Sequence, residues 1–265
     1  MVIDVNILVT IAYTLLLACI TSAEMIARCE NGLKSHYKSL VDNKIMAPEV
    51  FSDQNTNKQV ETEVEGGTNY MEFVEEVVSV QRACMGNTCN RLCQTGLNAG
   101  TSAVALLCAS EDSVQVHSFD IGTHDYAKVA QTIIDESFRN RHTITWGSSE
   151  KTLPNLISSL GENSKTYCDF TFVDGGHSRE LAMSDIKNFR ELSPVGSYMV
   201  VENCNSWGMA HGWGGIWAVN EAYRDAIEKN LLSHVRQVSV GPCGQDKRLR
   251  GHKRECRELC IAKVL

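Results

Sequence analysis

The stretch RLCQTGLNAGTSA, residues 91–103, decides the fold. Residues 91–95 form a predicted strand, and a helix-like run at 101–109 follows after Gly96 and Gly100. Glycine lets a backbone turn tightly and approach another group closely, and a helix N-terminus offers N–H groups that have no partner within the helix. This order of strand, glycine-containing turn and helix predicts the first half of a βαβ unit, although a plain tight turn fits the same residues.

The alternation of strand and helix continues downstream. Apolar runs of strand length are predicted strands at 114–120, 142–146, 169–174, 198–201, 235–240 and 260–264. Segments with helical spacing of apolar residues are predicted helices at 126–138, 153–160, 179–192 and 217–232. Such alternation predicts βαβ units and a parallel sheet that is covered on both faces. Ligands of such sheets bind at the carboxyl ends of the strands.

The length of the chain and its net charge limit the fold and the kinds of partner that can be expected. A chain of 265 residues has room for one α/β domain with a sizeable core. With 25 basic and 32 acidic residues, the formal net charge is −7. This balance argues against a nucleic-acid or anionic-membrane partner, because such partners select a basic surface.

The first 23 residues differ from the rest of the chain. Residues 7–20 are almost wholly apolar, and Thr21, Ser22 and Ala23 then provide a small-residue cleavage site. We therefore predict a signal peptide over residues 1–23 and a secreted or secretory-lumen protein. An uncleaved anchor is the alternative, because Asp4 precedes the apolar run and no Lys or Arg does. Residues 24–69 are a polar, weakly patterned extension, and residues 70–265 are the predicted domain, which opens with a helix at 70–82.

Cysteine usage supports an oxidising compartment. Eleven cysteines are present, and the ten that remain after cleavage are an even number, as disulfides require. Zinc is the less favoured alternative, because the spacing of Cys84, Cys89 and Cys93 does not match paired C-x-x-C ligands. Three cysteines inside apolar runs are expected to be buried free thiols: Cys108, Cys168 and Cys204.

Polar residues follow the second and third predicted strands. Asp120 stands about 20 residues past the glycines, where a carboxylate accepts hydrogen bonds from ribose hydroxyls. Ser149 and Glu150 follow the third strand, where they suit an adenine edge. Each of these residues also fits a helix cap, so both interpretations stay open.

A second polar group follows the fourth and fifth predicted strands. Asp174, Glu202 and Asn203 supply two carboxylates and an amide oxygen, the ligand types that Mg²⁺ and Ca²⁺ prefer. His177 follows Asp174 in the same turn, and histidine is the residue type most often used as a general base. The sequence therefore predicts a divalent-cation site with an adjacent base, although a lone histidine on a loop is often structural.

These motifs together resemble the class I S-adenosylmethionine-dependent methyltransferases. The resemblance is carried over residues 70–240 by five motifs in order: Gln94-x-Gly96-x-Asn98-x-Gly100-x-Ser102, Phe119-Asp120, Gly147-Ser148-Ser149, Phe172-Val173-Asp174-Gly175-Gly176-His177 and Val200-Val201-Glu202-Asn203. The branch that they resemble most is the small-molecule O-methyltransferases of the catechol and macrocin types. The resemblance implies an α/β, Rossmann-like, doubly wound and mostly parallel seven-stranded sheet in a single domain.

The resemblance also implies roles for individual residues. The methionine end of S-adenosylmethionine would be lined by Gly96, Asn98, Gly100 and Ser102. Asp120 would hold the ribose, and Ser149 with Glu150 would lie near the adenine. Asp174, Glu202 and Asn203 would hold the metal, with Asp174 and His177 as the catalytic residues. The expected partner is a small-molecule hydroxyl acceptor, with no nucleic acid, no stable membrane span after signal cleavage, and a homodimer as the assembly to test.

Three residues depart from the family pattern. Gln94 stands where an acidic residue is usual, Glu202 stands for Asp, and His177 stands for Lys. These departures keep open a non-catalytic lumenal or secreted binding protein on the same scaffold. A nicotinamide-dependent oxidoreductase is less favoured, because the turn lacks the full G-x-G-x-x-G pattern. Residues 207–217 combine four glycines with three tryptophans, which suggests either an aromatic loop over the acceptor or core packing.

Overall fold

The computed structural model describes residues 27–29, 31–36, 38–40, 42, 89–204, 216–240, 244–245, 253–254 and 257–265. The strands are β1 Arg91–Thr95, β2 Gln115–Asp120, β3 His142–Trp146, β4 Phe170–Val173, β5 Tyr198–Glu202, β6 Leu232–Val240, β7 Gly244–Gln245, β8 Lys253–Arg254 and β9 Arg257–Val264. The helices are α1 Thr101–Cys108, α2 Asp125–Ser137, α3 Ser149–Leu160, α4 Arg179–Leu192 and α5 Ile216–Glu228, and a 3₁₀ helix spans Gly161–Thr166.

Seven strands form one sheet in the order β3-β2-β1-β4-β5-β9-β6. The neighbours from β3 to β5 are parallel, whereas β9 runs antiparallel to both β5 and β6. The predicted α/β class with a mostly parallel seven-stranded sheet is therefore confirmed. Strands β7 and β8 form a separate two-stranded pair that the sequence did not predict.

Each face of the sheet carries its own core, because successive strand residues point to opposite faces. On β1, Leu92 packs into the cluster beneath α1, and Cys93 packs into the cluster beneath α3, α4 and α5. On β4, Phe170 and Phe172 join the first cluster and Val173 joins the second. Burial of both faces explains the near-continuous apolar runs in these strands.

Most predicted elements match the structure, and the differences lie at their ends. Helix α3 begins at Ser149, four residues before the predicted start at residue 153, so Pro154 lies inside the helix. The last predicted helix ends at Glu228, and β6 begins at Leu232. Asn230 has φ +54°, a left-handed conformation that ends a helix, and this separates the two elements.

The expectation of buried free thiols is wrong for all three cysteines. The described residues contain three disulfides, which join Cys29 to Cys108, Cys93 to Cys168 and Cys204 to Cys260. Their Cα atoms are 4.9, 5.8 and 5.8 Å apart, within the range that a disulfide spans. Burial in an apolar run does not separate a thiol from half of a disulfide, because the partner lies 56 to 79 residues away.

The described residues between 27 and 42 are helical and pack on the domain. Cys29, Leu33 and Leu40 of this N-terminal segment are buried among residues of α1 and α2. The signal peptide, the helix predicted at 70–82 and residues 207–215 of the predicted aromatic loop lie outside the described residues. Within the described part of the chain, none of the helices has the length and apolar character that a membrane crossing requires.

Candidate cofactor and acceptor site

The strand register brings the predicted site residues to one rim of the sheet. Thr95 at the end of β1 pairs with Phe119 of β2 on one side and with Val173 of β4 on the other. Val173 in turn pairs with Val201 of β5. The residues that follow these positions therefore lie along one edge, which is where ligands of parallel sheets bind.

Gly96 lies where the turns after β1 and β4 meet, and these turns can come into contact because glycine has no side chain. Its φ is +84°, and a Cβ at this position would overlap the carbonyl oxygen of Asp174. Its N–H donates to the Phe119 carbonyl at 2.8 Å. The turn after β1 thus lies against the turn after β4, and only glycine fits both the conformation and the space.

The rest of the glycine-rich turn is built by backbone contacts. Asn98 and Gly100 have φ of +50° and +84°, and the Gly100 N–H donates to the Leu97 carbonyl at 2.7 Å. Gly100 is the N-cap of α1, and Ser102 is buried in its first turn. The N-terminus of α1 therefore faces the rim, where its N–H groups favour a negatively charged or strongly polar ligand group.

Asp120 is tied to this turn rather than to the helix that follows it. Its Oδ2 accepts the N–H groups of Leu97 at 2.7 Å and Asn98 at 3.1 Å, and its Oδ1 accepts that of Gly122 at 2.7 Å. The N-cap of α2 is His124, without a side-chain cap. The cap interpretation of Asp120 is therefore wrong, and the carboxylate holds the glycine-rich turn in register with β2.

Asp185 is a buried acid at this rim that the sequence predictions missed. Its side chain is fully buried, and an ideal Cβ on Gly175 would lie 2.8 Å from its Oδ2 and 3.1 Å from the Thr95 hydroxyl. Neither Asp185 oxygen forms a hydrogen bond of good geometry with the described residues. Burial raises the pKa of Asp185 to about 6, while the nearby hydroxyls of Ser149 and Thr95 oppose part of that rise.

The signal for Asp185 was present in the helix pattern. Ala182, Ile186 and Phe189 form the buried stripe of α4, and Asp185 falls on the same stripe. A charged residue on the apolar face of a helix is expensive unless something compensates it. Ser149, which begins α3, and Glu150 in its first turn lie close enough to Asp185 to influence its carboxyl group.

The acceptor side of the rim is more open. His177 Nε2 lies 4.0 Å from Asp174 Oδ1, and the two side chains are 48% and 20% exposed. Glu202 is buried at the end of β5, and Asn203 takes φ +59° and donates its N–H to the Glu258 carbonyl at 2.8 Å. Asp174 and Glu202 follow paired positions of β4 and β5.

These residues have the right chemistry for a hard cation but do not form a closed cage. Within the described ranges, no three His, Cys, Asp or Glu side chains are grouped so that they could hold a metal ion. The structure thus places the predicted metal ligands on adjacent strands, and His177 with Asp174 are the pair that it brings together.

Gln94 occupies the position where an acidic residue is usual in the family that the sequence resembles. Its Nε2 donates to the Gly96 carbonyl at 3.0 Å, and its side chain is fully buried. The amide therefore braces the turn from within the sheet and does not reach outward to a ligand.

A family model described as a methyltransferase domain matches residues 93–204. That span begins in β1, ends after β5 and contains all of the rim residues described above. This part of the chain is therefore similar to methyltransferase domains. The resemblance to methyltransferases that the motifs predict is confirmed over this span. No curated protein matches the chain in sequence.

Solved structures share the architecture of this chain. A cofactor-bound protein from MTB has 14% identity and a TM-score of 0.60, over 88% of this chain and 89% of that one. A SAH-bound methyltransferase from Podospora anserina has 12% identity and a TM-score of 0.58, over 93% and 96%. An O-methyltransferase from Bacillus cereus in complex with SAH has 10% identity and a TM-score of 0.56, over 89% and 91%. At these identities the likeness shows the fold.

Proposed function

We propose that the chain transfers a methyl group from S-adenosylmethionine to a hydroxyl group of a small molecule. The observation that carries this proposal is the glycine-rich turn held by Asp120 at the N-terminus of α1, inside the span that matches the methyltransferase domain. The similar Bacillus cereus protein is an O-methyltransferase in complex with SAH, which supports both the acceptor class and the cofactor.

The cofactor would lie along the β1, β2 and β3 part of the rim. Gly96, Asn98, Gly100 and Ser102 would line its methionine end, and Ser149 with Glu150 would lie at its adenine. Asp120 has about four acceptor positions on its two oxygens, of which backbone N–H groups use three. One ribose hydroxyl can therefore bind to Asp120 without releasing the turn.

The acceptor would lie beside His177 and Asp174. S-adenosylmethionine supplies the methyl electrophile, so the protein has to orient the acceptor and remove its proton. As the acceptor oxygen bonds to the methyl carbon and the carbon–sulfur bond breaks, His177 Nε2 takes the hydroxyl proton. Asp174 lies 4.0 Å away and would stabilise the imidazolium that results.

A divalent cation is the finer part of the proposal. Asp174, Glu202 and Asn203 would hold Mg²⁺ or Ca²⁺, and the ion would lower the pKa of the acceptor hydroxyl. Two carboxylates on adjacent strands support this assignment, because they repel one another unless a cation or a shared proton lies between them.

We further propose that the protein works in the secretory lumen or outside the cell. Three disulfides among the described residues support an oxidising compartment. The second candidate function is a non-catalytic binding protein on the methyltransferase scaffold. The neutral Gln94, turned inward on the Gly96 carbonyl, favours it, because the family usually has an acid there.

Calorimetric titration of the oxidised domain with S-adenosylmethionine and with S-adenosylhomocysteine tests the proposal, with and without Mg²⁺ or Ca²⁺. We expect a micromolar Kd for the native chain and at least about tenfold weaker binding for Asp120→Ala, because the glycine-rich turn loses two hydrogen bonds to the carboxylate and Gly122 loses a third. Absence of binding under every metal condition would support the non-catalytic alternative.

A second experiment separates binding from chemistry. We expect His177→Ala and Asp174→Ala to lose methyl transfer while they bind S-adenosylhomocysteine like the native chain. Glu136→Ala is the matched control, because it removes an exposed carboxylate of α2 away from the rim. Unchanged turnover in both rim variants would contradict the assigned base.

A further inference from the structure

The N-terminal segment is fastened to the C-terminal end of α1. Cys29 is disulfide-bonded to Cys108, the last residue of that helix. The guanidinium of Arg28 donates to the Cys108 carbonyl through Nε at 3.1 Å and Nη2 at 2.7 Å, and also to the Ser110 carbonyl. The last carbonyl groups of a helix have no partner within it, so Arg28 satisfies groups that α1 itself cannot.

The same segment reaches the glycine-rich turn at the other end of α1. His36 is 4% exposed, and its Nε2 lies 2.7 Å from the Ala99 carbonyl oxygen. A carbonyl oxygen only accepts, so Nε2 carries the hydrogen and donates it. Burial lowers the pKa of His36, which agrees with a neutral ring in this position.

Packing around this hydrogen bond leaves little room for the turn to move. An ideal Cβ on Gly100 would lie 3.3 Å from His36 Nε2 and 2.6 Å from Ile134 Cδ1. Leu40 is fully buried in a small cluster with Ala99 and residues of α2. The N-terminal segment therefore packs directly against the turn.

Two groups hold three consecutive residues of the turn. Asp120 accepts the N–H groups of Leu97 and Asn98, and His36 donates to the carbonyl of Ala99. We propose that the N-terminal segment completes the cofactor site, with His36 as a positioning residue that fixes the glycine-rich turn and the Cys29–Cys108 disulfide as its tether. The cofactor part of this inference rests on the proposed function.

The test compares variants that keep or remove the donor at position 36. His36→Gln retains an amide donor of similar reach, and His36→Leu retains bulk without a donor. We expect His36→Leu to bind S-adenosylhomocysteine about tenfold more weakly, which is the loss of one buried hydrogen bond, and His36→Gln to stay within about threefold of the native chain. Urea unfolding of both variants is measured alongside, and we expect a lower midpoint for His36→Leu than for His36→Gln, because the Ala99 carbonyl loses its buried donor only in His36→Leu.

Hydrogen exchange of the turn gives a readout that needs no cofactor. We expect the amides of Leu97, Asn98 and Gly100 to exchange about tenfold faster in His36→Leu and in the double variant Cys29→Ser/Cys108→Ser. Cys204→Ser/Cys260→Ser is the matched control, because it removes a disulfide between β5 and β9 on the other half of the sheet. We expect that control to leave the exchange of the turn unchanged.

The outcomes separate the two proposals. A native chain that binds no S-adenosylhomocysteine, while His36→Leu still speeds exchange of the turn, rejects the proposed function and supports the positioning role. Native-like affinity and native-like exchange in His36→Leu overturn the positioning role. Equal acceleration of the turn in both double cysteine variants also overturns it, because the effect would then come from general loss of stability.

Discussion

The two halves of the rim are held in different ways. On the β1–β2 half, the glycine-rich turn is fixed by backbone groups, with Asp120 on its N–H groups and His36 on the Ala99 carbonyl. On the β4–β5 half, His177 and Asp174 are partly exposed and lie 4.0 Å apart, which is the upper limit for an ion pair. The β1–β2 half, or rigid half, is therefore held by hydrogen bonds before a ligand binds. The β4–β5 half, or open half, has side chains that could still move toward a ligand.

This difference suits the two tasks of a methyl transfer. A cofactor that is the same in every turnover is best met by a turn that does not need to reorganise, since preorganised dipoles cost nothing when the ligand binds. In the proposed reaction, an acceptor hydroxyl would need side chains that can change their charge state and partners as its proton is removed. The rigid half would therefore set cofactor affinity, and the open half would set the chemistry.

Among the substitutions discussed, we expect that of Gly96 in the rigid half to lower the free energy of unfolding most. In Gly96→Ala the new Cβ meets the Asp174 carbonyl and φ stays near +84°, so we expect a loss of about 4 kcal/mol in the free energy of unfolding. Gly196→Ala is the matched control, because Gly196 has φ +88° and nothing within 4 Å of its ideal Cβ. We expect about 1 kcal/mol there, from the backbone conformation alone.

Urea unfolding of both glycine variants measures this difference. Similar losses in the two variants would mean that the turns after β1 and β4 move apart easily, and the first half of the rim would then not be rigid. A large loss in Gly96→Ala alone would show that the close approach to Asp174, and not the left-handed conformation, sets the cost.

Much of the rigid half was predictable because its determinants are local. A strand, two glycines and a helix within 13 residues specify the turn, and the following strand places Asp120 beside it. The parallel order of β1 to β5 follows from the alternation of elements. The sequence did not show that Asp120 accepts hydrogen bonds from the glycine-rich turn. That contact depends on how close the carboxylate at the end of β2 lies to the N–H groups of the turn.

Features that join distant parts of the chain could not be predicted in the same way. His36 and Ala99 are 63 residues apart, and the three disulfides close loops of 56 to 79 residues. Composition indicates that cysteines pair but not which ones, so an apolar run around a cysteine predicts a core thiol even where a distant partner exists. Asp185 was missed for a related reason, since its neighbours Thr95 and Gly175 come from two other elements.

Asp185 links the two halves, and its charge offers a smaller, pH-dependent test. The folded state raises the pKa of Asp185 to about 6, above the usual value of 3.8, so the folded protein binds this proton more tightly than the unfolded chain does. Above pH 6 the carboxylate is ionised in both states, and its burial lowers stability by about 2–3 kcal/mol. As pH falls from 6 to 4 this cost disappears.

We therefore expect Asp185→Asn to be more stable than the native chain by about 2 kcal/mol at pH 8 and equally stable at pH 4. Urea unfolding at several pH values, with Glu136→Gln as the exposed control, measures the difference between native and variant chains. A stability difference that does not change with pH would mean that Asp185 stays ionised in the fold, and that its neighbours compensate its charge more fully than the geometry indicates.

The smallest effects should come from the open half of the rim, where stability depends on what is bound. We expect Asp174→Ala to change the free energy of unfolding by less than about 0.5 kcal/mol without added metal, because a partly exposed ion pair contributes little.

A cation that binds only the folded chain adds about 1.4 kcal/mol at ten times its Kd, so Mg²⁺ or Ca²⁺ should stabilise the native chain and not the variant. Equal stabilisation of both chains would place the cation elsewhere, and no stabilisation of either would leave proton removal to His177 alone. Either result would reject the cation at Asp174, Glu202 and Asn203 and leave His177 as the proposed base of the open half, which the turnover of His177→Ala then tests.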